Sequence, residues 1–243
     1  NYIFGASAGG NLNSNSSNNI GIGSFALNSA TSSLFNVAIG SQAGQAVTSG
    51  GGNTFVGGKT GERTTTGLGN VFMGYLAGFD NRTGSYNVML GDSSGMALVS
   101  GGSNVFIGPF IGGSNLATTT NSVLLGVSAA AGTSNYEAQR LTIMGARAGQ
   151  SMATGADNNI LIGYQAADSL TTGAKNLIIG YDIEAPSNTA SNQLNIGNII
   201  FGTGVDGAGT TLSSGNIGIG TTSPAAKLDV WGSLRVGTSS TPL

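Results

Sequence analysis

Along the chain, hydrophobic residues arrive in runs of three, each preceded by a polar residue and closed by a glycine. The stretch "NVFMGYLAG", beginning at Asn70, sets the phrase. It returns as "NVAIGSQAG" at Asn36, "NTFVGGKTG" at Asn53, "NVMLGDSSG" at Asn87, "NVFIGPFIG" at Asn104 and "NILIGYQAA" at Asn159. With the closing glycine as anchor, the series is Gly5, Gly23, Gly40, Gly57, Gly74, Gly91, Gly108, Gly126, Gly145, Gly163, Gly180, Gly197 and Gly220. Successive anchors are 18, 17, 17, 17, 17, 17, 18, 19, 18, 17, 17 and 23 residues apart. A fixed period of this length marks a repeat architecture. Each apolar run predicts a short strand, and the Gly, Ser, Thr and Asn between runs, as in "ERTTTGLG", predict turns and outer loops.

One such unit is too small to bury a core. Stacking successive units about 4.8 Å apart, each strand paired with its copies above and below, solves this. The pattern predicts an all-β fold: a parallel β-solenoid or β-roll of about thirteen 17-residue rungs, with residues 1–202 as shaft and 203–243 as C-terminal loop and capping segment. In the last segment, strands are expected at Lys227–Val230 and Ser233–Val236, turning at Trp231-Gly232.

Position within the unit carries further information. Four residues before the anchor stand Asn1, Asn19, Asn36, Asn53, Asn70, Asn87, Asn104, Asn159, Asn176 and Asn216, with Ser122, Leu141 and Gln193 as exceptions. Stacked rungs superpose these amides. Each then donates to the next and accepts from the last, as in the asparagine ladders of cross-β structures. For any single copy, an asparagine starting a strand after a turn is the simpler reading; the repetition favours the ladder. The anchor itself predicts a backbone that only glycine tolerates. Three residues beyond it, Ala8, Ala26, Ala43, Ala77, Ala129, Ala148 and Ala166 predict a tight inward corner.

Within the triplet, alternation sends the first and third residues to one face and the second to the other. The first set is aliphatic, as in Val37 with Ile39 and Val105 with Ile107. The middle residue is apolar too, at Phe55, Phe72, Met89, Phe106, Leu124, Ile143, Leu161 and Ile178. Two apolar faces imply that both are buried. A coil has only one inside, so the second face must meet another layer, either of the same chain or of neighbouring chains; these eight middle residues are expected at the contact between chains of a homo-oligomer.

Composition narrows the function. The chain has 243 residues, 43 glycines, 7% charged residues and a net charge of −2. It carries no basic patch, which argues against nucleic-acid partners. Cysteine and histidine are absent, which removes thiol nucleophiles, disulfides, Cys/His zinc sites and imidazole-dependent triads. No cofactor, metal site or catalytic residue is expected. The stretch Gly57-Gly58-Lys59-Thr60 resembles the end of a phosphate-binding loop, but no amphipathic helix follows it. Asp182 and Glu184 form the closest carboxylate pair and would share a strand face. No apolar run approaches the roughly 20 residues that span a membrane. The start at Asn1, with no signal peptide, reads as a processed or partial product of a longer polypeptide.

The phrase Asn-Val-Ala-Ile-Gly with alanine three residues on, at Asn36 to Ala43, resembles the head repeats of trimeric autotransporter adhesins and related bacteriophage tail-fibre repeats. The resemblance runs unit by unit over residues 1–202, although the adhesin unit is generally shorter. It implies a left-handed parallel β-roll with three chains around one axis. Gly215 to Gly237, "GNIGIGTTSPAAKLDVWGSLRVG", is similar to the connector before the intramolecular chaperone domain of phage tail fibres, and Asn192 to Gly204 accompanies it there.

These readings converge on an extracellular structural and adhesive fibre, trimeric, on a cell surface or virion, with loops available to a glycan or cell-surface receptor. An end-to-end filament protomer is the alternative. Carbohydrate-active β-helices need carboxylates clustered on one face, and ice-binding ones need a threonine ladder. Neither pattern recurs in register here.

Overall fold

The computed structural model describes residues 1–113, 116–132 and 136–236, so residues 237–243 of the predicted capping segment lie outside the described residues. Its strands are β1 Tyr2–Phe4, β2 Ile20–Ile22, β3 Val37–Ile39, β4 Thr54–Val56, β5 Val71–Met73, β6 Val88–Leu90, β7 Val105–Ile107, β8 Leu116–Thr118 and β9 Val123–Leu125. They continue as β10 Tyr136–Glu137, β11 Thr142–Met144, β12 Ile160–Ile162, β13 Leu177–Ile179, β14 Leu194–Ile196, β15 Ile200–Gly202, β16 Ile217–Ile219 and β17 Leu228–Val230. No helix occurs among the described residues. Fifteen strands form one sheet, and β8 with β10 form a small second one beside it. From β1 to β14 the main sheet is parallel, each strand joined to its repeat copy, with Phe55 opposite Phe72 and Phe72 opposite Met89. The chain is therefore a parallel β-solenoid of about 11 turns.

Every rung bonds both ways. The Val71 amide donates to the Asn87 carbonyl above (2.8 Å) and the Gly74 amide to the Val56 carbonyl below (2.9 Å). From Gly5 to Gly180 the anchor glycines close each strand with φ between 129° and 153°, as at Gly57 (134°), whereas Gly197 (59°) and Gly220 (72°) take a left-handed turn. A Cβ on Gly57 would also lie 2.5 Å from the Gly74 carbonyl oxygen of the next rung. Both the torsion and the stacking exclude a side chain.

The triplets follow an out–in–out pattern, and the middle residue is the inward one. Phe55, Phe72, Met89, Phe106, Leu124, Ile143, Leu161 and Ile178 are each 0% exposed within a single chain. They form the spine of the coil interior, with Phe55 and Phe72 in ring contact (centroids 5.5 Å apart). Their expected placement at a contact between chains is corrected accordingly. The reason is parity: the Asn two residues earlier points to the same side. That side also receives the buried corner alanines Ala43, Ala77 and Ala148 and a further buried column that includes Val47 and Leu98. The curl of the chain encloses it.

From Asn19 to Asn104 the asparagines form an unbroken buried row, begun by the exposed Asn1. Asn19 Nδ2 donates to Asn1 Oδ1 (3.0 Å), Asn36 to Asn19 (3.1 Å), Asn53 to Asn36 (3.0 Å), Asn70 to Asn53 (3.1 Å), Asn87 to Asn70 (3.2 Å) and Asn104 to Asn87 (2.9 Å). The polarity is the reverse of that expected, since each amide donates to the preceding rung and accepts from the following one. The same Oδ1 also accepts the next backbone amide, as Asn53 Oδ1 does from Asn70 N (2.9 Å). The second Nδ2 proton reaches a loop carbonyl, that of Gly84 for Asn70 (2.9 Å). Each interior amide is thereby saturated.

The row breaks at Ser122 and Leu141. Ser122 bridges part of the gap: its amide donates to Asn104 Oδ1 (3.0 Å) and its hydroxyl accepts from the Leu141 amide (2.9 Å). Leu141 has no side-chain oxygen to accept from the next rung, so one Nδ2 proton of Asn159 goes to the Ala156 carbonyl while the other keeps a loop carbonyl, that of Gly173. The row then resumes, with Asn159 Oδ1 accepting the Asn176 backbone amide (2.8 Å) and Asn176 Oδ1 accepting from Gln193 Nε2 (3.3 Å).

The C-terminal end departs from the expected thirteenth rung. After β14 the chain reverses, and β15 pairs antiparallel with both β14 and β16. Phe201 of β15, 8% exposed, lies opposite Asn195 at the end of the interior. The reversal, and not the segment around Trp231, covers β14. β17 pairs parallel with β16, and Ser233 to Val236 form no strand.

Candidate functional site: the outward face of the coil

With the middle residues inside, the first and third residues of every triplet point away from the core. From β2 to β14 they make two aliphatic columns, running through Val71, Val88 and Val105 on one side and Met73, Leu90 and Ile107 on the other. Thr54 and Thr142 are the only polar members, and none is charged. The columns extend over about 50 Å at the spacing of a parallel sheet. Met73 is 49% exposed, Ile107 43% and Val71 37%. Aromatic side chains flank them: Tyr86 and Phe35 on one margin, Tyr75 and Phe110 on the other, all exposed. Tyr164 and Tyr181 stack at 5.3 Å on the same margin as Tyr75, one rung apart.

Along the main sheet charge keeps to the loops as far as β16; Glu137 of β10 and Asp229 of β17 are the charged strand residues. Lys59 lies 3.7 Å from Glu62, while Asp80 takes both Arg63 (3.5 Å) and Arg82 (3.0 Å). Arg63 also sits over the Phe79 ring at 4.7 Å. The segment resembling a phosphate loop is a corner of the coil, in which Lys59 has φ 57° and the Thr60 hydroxyl is given to the Gly74 carbonyl.

One carboxylate pair has unusual chemistry, and it is not the pair expected from the sequence. Asp182 occupies a left-handed turn (φ 52°), and residues 182–184 are not a strand. Glu184 instead meets Asp168, one rung below. Partial burial, with the neighbouring Asp168, pushes the Glu184 carboxyl up to about 7. Hydrogen bonds from Glu184, Gln165 and Ser169 hold Asp168 below its ordinary value. Glu184 also accepts from the Ser169 hydroxyl (2.8 Å) and amide (3.3 Å). It thus serves as an acceptor for the rung below in the last turn before β14. No group of three or more metal-ligating side chains exists among the described residues. Nor is any helix among them long and apolar enough to cross a membrane.

The fold therefore defines the chain as a parallel β-solenoid repeat protein whose most distinctive exposed surface is a flat aliphatic sheet face. Comparison with protein-family models, with curated proteins and with solved structures returns no match.

Proposed function

We propose that the chain is the shaft segment of an extracellular fibre, built from copies packed side by side through the outward columns, three in number as the adhesin-like repeats imply. The observation that carries this reading is the uncharged aliphatic face, about 50 Å long, which the chain itself leaves uncovered. Its footprint, on the order of 500–800 Å² per chain, matches one side of a standard protein interface. The interior is complete without a partner, so association serves to cover this face and to stiffen the rod. The Gly, Ser, Thr and Asn loops lie away from the columns and would remain available to a glycan or cell-surface receptor. Catalysis has no part in this reading.

Light scattering tests it. The wild-type chain is expected to be a homo-oligomer at micromolar concentration. Met73→Asp with Ile107→Asp should give a folded monomer, because both side chains already face outward. A wild-type monomer, or a double variant that assembles normally, would overturn the reading.

A further inference from the structure

The outward columns repeat at every rung, so alone they do not distinguish one alignment of two rods from another shifted by about 4.8 Å. The C-terminal end breaks this degeneracy. Leu194 of β14, Gly202 of β15 and Ile217 of β16 stand in register on the outward side. Gly202 lets the two large side chains close in over it, since a Cβ there would lie 2.9 Å from the Leu194 Cβ and 3.4 Å from the Ile217 Cδ1. Leu194 and Ile217 line one side of an open cavity of about 480 Å³, and the loop after β15 lines the other with Thr203, Val205 and Leu212. Lys227 is its one charged lining residue, and that ammonium already donates to the Ser214 and Gly215 carbonyls. The neighbouring Asp206 accepts from the Ser214 amide and hydroxyl. The cavity is therefore apolar in effect. At its rim stands Leu212, 89% exposed, the highest value among the exposed large hydrophobic residues.

One loop thus carries both an apolar hole and an unburied apolar knob. We propose that Leu212 of one copy inserts into the cavity between Leu194, Ile217 and Val205 of the adjacent copy, locking parallel rods in register. A second copy fits better than a small ligand because knob and hole lie at the same height. Rods side by side and unshifted bring them level, and a slip of one rung separates them. The contact joins two unlike surfaces, so it passes from copy to copy around a ring. The mismatched alignments are penalised by an exposed leucine and an empty cavity, which is specificity built against alternatives.

The inference rests on side-by-side assembly, and its test separates the two. The chain has no cysteine, so single replacements report cleanly. Leu212→Cys and Thr203→Cys chains, carrying different tags, are co-expressed and mildly oxidised. A disulfide-linked mixed pair is expected on a non-reducing gel, with little cross-linking when either variant is expressed alone. Full-mass assemblies by light scattering without the mixed pair would overturn the lock and leave the shaft reading intact. A chain that is monomeric throughout would overturn both.

Discussion

At the scale of single residues, two buried asparagines predict opposite outcomes for the same substitution. Asn70 is saturated: it donates to Asn53 Oδ1 and the Gly84 carbonyl, and accepts the amide and Nδ2 of Asn87. Asn70→Leu strands these groups inside the coil, at an expected cost of about 1–3 kcal/mol. Asn81 is equally buried, yet neither its Oδ1 nor its Nδ2 has a partner within the chain. It occupies the interior column of Val47, Thr64 and Leu98. Asn81→Leu removes two unpaired polar atoms while keeping the number and branching of side-chain heavy atoms, and should raise stability by about 1–3 kcal/mol. Urea denaturation midpoints of the two variants should move in opposite directions. A matching fall in both would mean that the ladder bonds are not what distinguishes them. The left-handed residues are a third residue-scale feature. Lys175 has φ 57° with an exposed side chain. Lys175→Val should therefore lower the midpoint by roughly 1–2 kcal/mol although it removes no packing, because a β-branched residue resists that torsion.

At the scale of the rung, the Asp168–Glu184 pair gives stability an unusual dependence on pH. Glu184 titrates near 7 in the folded chain against an ordinary 4.5, so folding retains a proton between those values. Its contribution is fully present below pH 4.5 and is lost as pH rises towards 7. Asp168, held low, contributes in the opposite sense, and that part is lost only in stronger acid. The melting temperature of the wild type should therefore fall between pH 5 and 8, and Glu184→Gln should flatten that slope. A slope unchanged by the substitution would exclude the pair as its source. The pairing also shows what could be read from the sequence. The repeat, its strands and the Asn row were legible because the same residue types recur at one spacing. Asp168 and Glu184, 16 residues apart, become neighbours only once the rungs are stacked, and a search for adjacent carboxylates favours Asp182 instead. Which triplet face is inward was legible in principle, because Phe72 shares parity with Asn70. Residue size pointed the other way, since a large apolar side chain suits a chain contact as well as a core. The reversal at β15 was hidden by its own short triplet. Gly202 follows Gly197 by too few residues for a coil, so the chain could only fold back.

At the scale of the whole molecule, the coil is a one-dimensional array in which each rung touches only its neighbours. Removing residues 70–86, one complete unit, joins Gly69 to Asn87 and leaves the Asn row and both faces in phase. That variant should fold, with circular dichroism like the wild type and a rod about 4.8 Å shorter. Removing only residues 70–85 places Tyr86 in the Asn row and turns the following strand inside out, so it should aggregate. Equal behaviour of the two deletions would show that register is not what the period maintains. The same array has a mechanical consequence. Tension applied to the two ends of one chain does not load all its bonds together. It concentrates on the outermost coil, which is held by the backbone bonds, the single Asn amide and the interior side-chain packing that join it to the next. Each coil that peels away would release about 50 Å of extended chain. An isolated rod under force should therefore lengthen in even steps, each halted by the coil below. Copies clamped along their outward faces, as the proposed shaft requires, would resist that peeling and share the tension among neighbouring chains.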